Sequence, residues 1–299
     1  MAAARVPRVG YLGPEGTFSE QALLTSAASG AVEPVPLETI YDAVMQLRAG
    51  EVEWAIVPIE NSLDGSVSVT LDLLAGASEL EIVAEALLLV RHSLIAAAPV
   101  ELSEIDTVLS HPQVPGQCER FLRSELAHAR ILPAASTAEA VRIVTSRPQR
   151  GHAALGTALA ARIYGGTVIR EGVQDSDENE TRFVWLARAG QGTEPPLDAS
   201  ASGEWKTSLL FWGRGAERPG WLVRCLDEFA RRDINLTKIE SRPRRKRLGT
   251  YMFFADLSGH PREPSVGEAI AGVAAVCQEV RVLGSYRAAA TPDIARLRR

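Results

Sequence analysis

The sequence predicts an α/β fold built from two units, and three observations carry that reading. Over residues 8–188, short apolar runs alternate with amphipathic stretches, the pattern of helices layered on mostly parallel strands. Residues 189–205 lose all periodicity and are rich in small, polar and proline residues, as a linker is. Residues 206–285 then run strand, helix, strand, strand, helix, strand, a βαββαβ ferredoxin-like order.

The elements follow in chain order. A strand over residues 9–12 runs into the turn Gly13-Pro14-Glu15-Gly16, and a helix is predicted from 18 to 29 with Thr17 and Ser19 at its start. Such a turn aims backbone N–H groups and hydroxyls at one point, which suits an anion, although an ordinary capped turn has the same residues. Gly10, Gly13 and Gly16 do not make a dinucleotide fingerprint, and no Gly-Lys-Ser/Thr follows. A second helix, 39–49, places Ile40, Ala43, Val44 and Leu47 on one face and stops at Gly50. Further strands are expected at 54–58, 82–90, 105–109, 131–133, 153–155 and 168–170. A helix over 137–145 is headed by Ser136 and Glu139 in capping-box spacing. The second unit reads as a strand at 207–212, a helix at 220–231, strands at 234–240 and 251–257, a helix at 266–276 and a strand at 280–283.

Composition bounds the function. A chain of 299 residues, 46% hydrophobic, suggests about two domains. A net charge of −5 gives no basic field to attract nucleic acid. The basic run Arg242, Arg244, Arg245, Lys246 and Arg247 reads as a solvated hairpin loop, and residues 286–299, with Arg296, Arg298 and Arg299, as a flexible tail. Cys118, Cys225 and Cys277 form no Cys-x-x-Cys pair, and the histidines show no metal-ligand spacing beside them, so a reduced cytoplasmic protein is expected. The N-terminus has no apolar core of signal-peptide length, and the apolar run 86–90, broken by Arg91 and His92, is too short to span a bilayer.

Four further segments could carry chemistry. Pro58-Ile59-Glu60-Asn61-Ser62 and Ser110-His111-Pro112-Gln113 each end a strand, where ligands gather in open α/β folds. The second of these runs on to Gln117-Cys118, which opens the next helix; Ser136-Thr137-Ala138 starts another, and Asn179-Glu180-Thr181-Arg182-Phe183 enters the strand that closes the α/β region. Singly, each has a plain structural role: Ser136 caps a helix, His111 fills a turn, Thr181 sits in a strand. Together they describe a pocket of amides, hydroxyls and one or two charges, without a metal motif or a nucleophile–base pair.

These blocks, with Gly13-Pro14-Glu15-Gly16-Thr17-Phe18-Ser19, stand in the order of the prephenate dehydratases, and residues 8–188 resemble that family. The C-terminal unit resembles an ACT domain, with 234–243, Ile-Asn-Leu-Thr-Lys-Ile-Glu-Ser-Arg-Pro, matching its phenylalanine-site motif. The resemblance implies a catalytic domain over 1–188 with a two-lobed fold like that of periplasmic binding proteins. Lobes of 8–85 with 170–188, and of 90–165, would flank the substrate cleft. An ACT regulatory domain would cover 206–285. The implied reaction is loss of CO2 and water from prephenate to give phenylpyruvate, in phenylalanine biosynthesis, without a cofactor or metal. Arogenate dehydratase and a non-catalytic solute sensor are the alternatives. Thr181 maps to the family's leading catalytic residue. Thr17, Glu60, Asn61, Ser62, Ser110, Gln117, Arg182 and Phe183 map to substrate binding, although strand alternation could point Arg182 away from Thr181. Phenylalanine would act at Gly220, Trp221, Leu222, Asn235, Leu236, Glu240, Ser241, Arg242 and Pro243, in a homodimer or homotetramer joined through residues 206–285.

One position departs from the family pattern. Where Gly-Ala-Leu is usual, the chain has Gly220-Trp221-Leu222. An indole in the effector pocket would overpack it by about 1–3 kcal/mol, weakening phenylalanine and making Trp221→Ala a tighter binder. The alternative is that Trp221 points into the domain core.

Overall fold

The computed structural model describes residues 5–191, 194–198, 203–213, 218–244 and 249–290. Arg245, Lys246 and Arg247 of the basic run, part of the 189–205 linker and the end of the tail lie outside the described residues.

The first lobe contains β1 (Arg8–Leu12), α1 (Phe18–Ser26), β2 (Glu33–Leu37), α2 (Ile40–Ala49), β3 (Trp54–Asn61), β4 (Gly65–Ser66), α3 (Ser68–Gly76) and β5 (Leu80–Leu89). The chain then crosses to the second lobe: β6 (Ser93–Ala96), β7 (Thr107–Ser110), α4 (Val114–Gln117), α5 (Glu119–Glu125), β8 (Arg130–Pro133), α6 (Thr137–Ser146), β9 (His152–Gly156), α7 (Ala158–Tyr164) and β10 (Thr167–Arg170). It returns to the first as β11 (Glu180–Arg188). The first sheet has the order β2-β1-β3-β11-β5, with β4 on β3, and the second β10-β6-β9-β7-β8. Two crossovers, 90–92 and 171–179, therefore join the lobes.

The expectation of mostly parallel strands is corrected. β1 runs parallel to β2 and β3, and β7 to β8 and β9, but β11 is antiparallel to both its neighbours, as are β10 to β6 and β6 to β9. A strand that arrives from the other lobe needs no βαβ crossover, so nothing forces it to run parallel. β10, expected to straddle the lobe boundary at 170, belongs wholly to the second sheet.

The C-terminal unit comprises β12 (Trp205–Trp212), α8 (Trp221–Ala230), β13 (Leu236–Pro243), β14 (Tyr251–Ser258), α9 (Pro264–Val276) and β15 (Glu279–Arg287). Its antiparallel sheet has the order β13-β14-β12-β15, the ferredoxin-like arrangement. β15 continues to Arg287, so residues 286–287 are strand and not tail. Residues 194–198 are tied to the first lobe: Ala28 N donates to Pro196 O (2.8 Å), and Leu197 bridges Ala27.

Each face of the C-terminal sheet has its own cover. Leu209, Phe211, Ala255 and Leu257 pack under α8 and α9. Leu210, Met252, Phe254, Leu283 and Tyr286 face the other way and share one core with Leu71, Leu74, Ile82, Val184 and Leu186 of the first lobe. Gly284 of β15 makes this contact possible, since a Cβ there would lie 2.0 Å from Ile82 O. This face of the sheet is thus covered within the chain.

Trp221 lies in this unit's helix-side core. It is 3% exposed, packs on Phe211 and Phe253 at centroid distances of 6.3 and 5.8 Å, and donates Nε1–H to Val276 O (3.0 Å). The expectation that the indole fills an effector pocket is corrected: α8 starts from Gly220 in a left-handed turn (φ 78°) that sends the next side chain inward. Trp221→Ala is expected to destabilise the protein by about 3–5 kcal/mol through the cavity it leaves. Denaturant unfolding checks this, and calorimetry should show no tightening of phenylalanine binding.

Candidate functional site

The two lobes enclose a cleft of about 980 Å³. The turn after β1 forms one wall. Gly13 N donates to Leu37 O (2.8 Å), Thr17 caps α1, and the Thr17 hydroxyl donates to Leu12 O (2.9 Å). The same turn touches the second lobe. Gly16 (φ +84°) sits so close to α7 that a Cβ would come within 2.8 Å of Ala160, and Thr157 Oγ1 donates to Gly16 O (2.6 Å). Tyr164 Oη donates to Glu15 O (2.8 Å). Only glycine fits both the φ and the approach.

Opposite stands the start of α6, where Ser136 Oγ accepts from Glu139 N (3.0 Å). The capping box is half made: the Glu139 carboxylate turns to Arg142 (2.6 Å). The cleft thus has a helix N-terminus on each lobe, with Thr17, Phe18 and Ser19 facing Ser136 and Thr137 across it. First-turn amides have no partner within their own helix and favour negative charge. The described lining includes Glu15, Glu38, Asp64 and Glu139 but neither lysine nor arginine.

Between these walls lies a chain of side-chain amides. Asn61 Nδ2 donates to Thr181 Oγ1 (2.9 Å) and to Asn179 Oδ1 (2.8 Å). Asn179 Nδ2 and His92 Nε2 converge on Gln117 Oε1, both at 3.1 Å. Thr17, Asn61, Gln117 and Thr181, named from sequence, all line the cleft, and so do His92 and Asn179, which sequence reasoning left without a role.

The other expected substrate contacts lie elsewhere. Ser110 is fully buried beneath the cleft, its hydroxyl donating to His111 O (3.2 Å), while His111 and Gln113 form the lining. Ser62 holds the end of β3 to the second crossover through Glu178 O (3.2 Å) and Glu180 N (3.0 Å). Phe183 packs in the first lobe's core with Tyr11, Leu23 and Trp185. Alternation along β11 explains the last case: 181 and 183 face α1, while 182, 184 and 186 face the C-terminal sheet.

Arg182 therefore points away from the cleft. It donates through Nε to Glu85 (2.6 Å), through Nη1 to Asp256 (2.5 Å) and through Nη2 to Tyr286 Oη (2.7 Å). Lys206 reaches Glu85 (2.7 Å), and Glu60, expected in the cleft, pairs with Lys238 (2.7 Å) and more distantly with Arg182 (3.7 Å). Three cations and three carboxylates meet where β11 touches the C-terminal unit.

The residues expected to bind an effector divide by face. Glu240 accepts from Ser66 Oγ (3.2 Å) and Arg242 grips Asp72 (2.9 Å), so both face the first lobe. Ser241, Pro243 and Asn235 are exposed, and Leu222 and Leu236 pack at the edge of the helix-side core.

Titration is shaped by burial. Desolvation, and then Asp175, pushes the Cys118 thiol up to about 12, so this cysteine packs and does not attack. Among the described residues no group of three His, Cys, Asp or Glu could hold a metal ion. Burial lowers the pKa of His92 below 6.5, the Gln117 hydrogen bond opposing only in part. Above 6.5 the shift costs nothing; as pH falls below it, the unfolded chain takes up a proton that the folded chain resists. Between about pH 7 and about pH 5 the natural chain should therefore lose stability more steeply than His92→Gln. Urea unfolding across that range checks this, and equal slopes would contradict it. Arg182→Met, which strands Glu85 and Asp256 in the interface, should cost about 3–5 kcal/mol in the same assay at neutral pH.

The family model for prephenate dehydratase matches residues 9–191. A prephenate dehydratase of Mycobacteroides abscessus is 40% identical over 285 residues, covering 93% of this chain and 89% of that one. The crystal structure of a prephenate dehydratase in complex with L-Phe from Arthrobacter aurescens superposes with a TM-score of 0.83 at 35% identity, over 93% of this chain and 89% of that one. GqqA, described as a novel type of quorum quenching acylase, superposes with a TM-score of 0.82 at 26% identity, over 98% and 100%. With a family model spanning more than half its length and relatives of such identity over most of it, the chain belongs to the prephenate dehydratase family.

Proposed function

We propose that the protein converts prephenate to phenylpyruvate, CO2 and water as a carbon–oxygen lyase, in the phenylalanine route of the cytoplasm. The observation that carries the reading is the hydrogen bond from Asn61 Nδ2 to Thr181 Oγ1. Because the amide donates, the threonine's own proton is free to point into the cleft. The ring carboxylate leaves as CO2, its bonding pair moves through the ring, and hydroxide departs from the far carbon as the ring becomes aromatic, taking up a proton from solvent to become water. Thr181 Oγ1–H supplies a hydrogen bond to that departing oxygen. A donor placed where charge develops is worth roughly 10²–10³ in rate, and holding the substrate in the reactive pose adds several kcal/mol. The two facing helix N-termini suit a substrate with two carboxylates, and they do so without a cation in the described lining.

Two other readings meet specific observations. Arogenate carries an ammonium where prephenate has a keto group, and Glu15, Glu38 and Asp64 in the lining could receive it. An acylase of the kind reported for the similar GqqA needs an activated nucleophile, and the partner of the Thr181 hydroxyl is an amide donor rather than a base.

The ferredoxin-like unit is proposed to be an ACT domain that binds phenylalanine, in line with the L-Phe complex of the Arthrobacter relative. The two-lobed plan supports kinship with periplasmic binding proteins. Assembly as a homodimer or homotetramer through residues 206–285 is favoured by the sheet edge at β13, where Ile239 (46%) is exposed, as is Tyr251 (44%) at the start of the neighbouring β14. Light scattering at micromolar concentration tests that, a monomer contradicting it.

Thr181→Ala should lower kcat about 100-fold or more with KM little changed, as for a donor used in the transition state. Phenylpyruvate formation from prephenate and from arogenate, side by side, checks it, with prephenate expected to be the faster substrate. Near-normal kcat in the variant would remove Thr181 from the mechanism.

A further inference from the structure

The backbone fixes the direction of every hydrogen bond in the amide chain. Leu63 N and Asp64 N both lie 2.9 Å from one side-chain atom of Asn61. Backbone N–H groups can only donate, so that atom is the oxygen. The Asn61 NH2 therefore faces Asn179 (2.8 Å), Thr181 Oγ1 (2.9 Å) and Glu180 O (3.1 Å), the last of which can only accept. Asn179 must then turn its oxygen to Asn61 and its NH2 to Gln117, and Gln117 must meet it with oxygen. His92 Nε2 lies 3.1 Å from that same oxygen and so carries the proton.

We propose that His92 is a positioning residue for the reaction: its Nε2–H locks the Gln117 amide, and through Asn179 and Asn61 it sets the direction of the Thr181 hydroxyl. The proposal rests on the dehydratase reading of the cleft. If the Gln117 amide turned over, its NH2 would meet the NH2 of Asn179. If Asn179 turned to relieve that, its NH2 would meet the NH2 of Asn61, which the backbone holds in place. Either way two NH2 groups face each other in the chain that ends on Thr181 Oγ1, and their repulsion moves the amides off their lines, so that the hydroxyl proton is no longer held toward the cleft.

Placement supports the role. His92 lies in one crossover between the lobes and Asn179 in the other, Gln117 belongs to the second lobe, and Asn61 and Thr181 to the first. The crossovers are bonded to each other: Val90 N to Asn179 O (2.7 Å) and Val173 N to His92 O (3.0 Å), while His92 N donates to Gln174 Oε1 (3.0 Å). The imidazole is 1% exposed, stands edge-on to Phe18 at 5.4 Å and makes no hydrogen bond through Nδ1. An apolar side chain would fill this place without leaving a buried polar atom unpaired, so packing alone does not account for the ring. The relay closes only when both lobes bring their members together, which couples lobe closure to the aim of the hydroxyl.

The test has two arms. In the first, His92→Leu should lower kcat for prephenate about tenfold or more, with KM changed by less than about threefold, the pattern of a lost transition-state interaction. His92→Gln, whose amide can bring an N–H to the same oxygen, should recover most of that loss. Unchanged kcat in His92→Leu, or equal losses in both variants at equal thermal stability, would overturn the proposal. In the second, 15N-resolved spectra of the imidazole in the natural chain should show the neutral Nε2–H tautomer at pH 7. An Nδ1–H tautomer or an imidazolium would overturn the relay, and this arm decides even if His92→Leu does not fold. Absence of prephenate turnover by the natural chain would contradict the dehydratase reading, while the tautomer would still judge the relay on its own.

Discussion

The arrangement depends on a buried guanidinium. Arg182 follows Thr181 on β11, and because strand side chains alternate, one faces the cleft while the other faces the C-terminal sheet. Removing a charged group from water costs several kcal/mol per ion unless it is paired and hydrogen-bonded. Here Glu85, Asp256 and Tyr286 satisfy Arg182, and Lys206 and Lys238 balance the remaining carboxylate charge. The partners come from β5 on one side and from β14 and β15 on the other. The C-terminal sheet cannot shift against the first lobe without unpairing charge next to Thr181.

The second constraint is the double crossover. Two lobes joined by two short segments can close on a substrate, and the residues of those segments are well placed to sense closure. Gly16 against Ala160, with Thr157 and Tyr164 bonded to the turn after β1, holds the lobes together at one wall. At the back of the cleft, amides from both lobes and both crossovers meet at Thr181. A reaction that needs orientation and one hydrogen bond, rather than a metal or a strong base, is served by such a preorganised set.

Much of this was legible in the sequence, for physical reasons. The βαββαβ order was readable because its strands are bounded by turn residues and its helices keep their period. Thr17, Asn61, Gln117 and Thr181 were legible as a set through the blocks that hold them. What stayed hidden had specific causes. β2 contains Pro34 and Pro36, which mask an edge strand, and β6 is only four residues long. Arg182 and Glu60 were expected in the cleft because the blocks that hold them resemble the family's, although strand alternation left Arg182 free to point away. Their ionic partners come from a second domain that no local pattern reveals. Trp221 was ambiguous until α8 was placed, since one turn of backbone decides between pocket and core. His92 and Asn179 lie in crossovers without periodicity, where only tertiary contact shows what a side chain does. Cys225 and Cys277, 52 residues apart in the chain, come within 3.7 Å, which spacing could not foretell.

The account stands on the hydroxyl of Thr181, and the most direct measurement separates that oxygen from the side chain's shape. Saturating prephenate turnover by Thr181→Ser and Thr181→Val isolates it, because valine keeps the volume and serine keeps the donor. The account predicts that serine retains most of the rate while valine loses about 100-fold or more, the worth of a donor aimed at developing charge. A valine variant that turns over at close to the natural rate would contradict it.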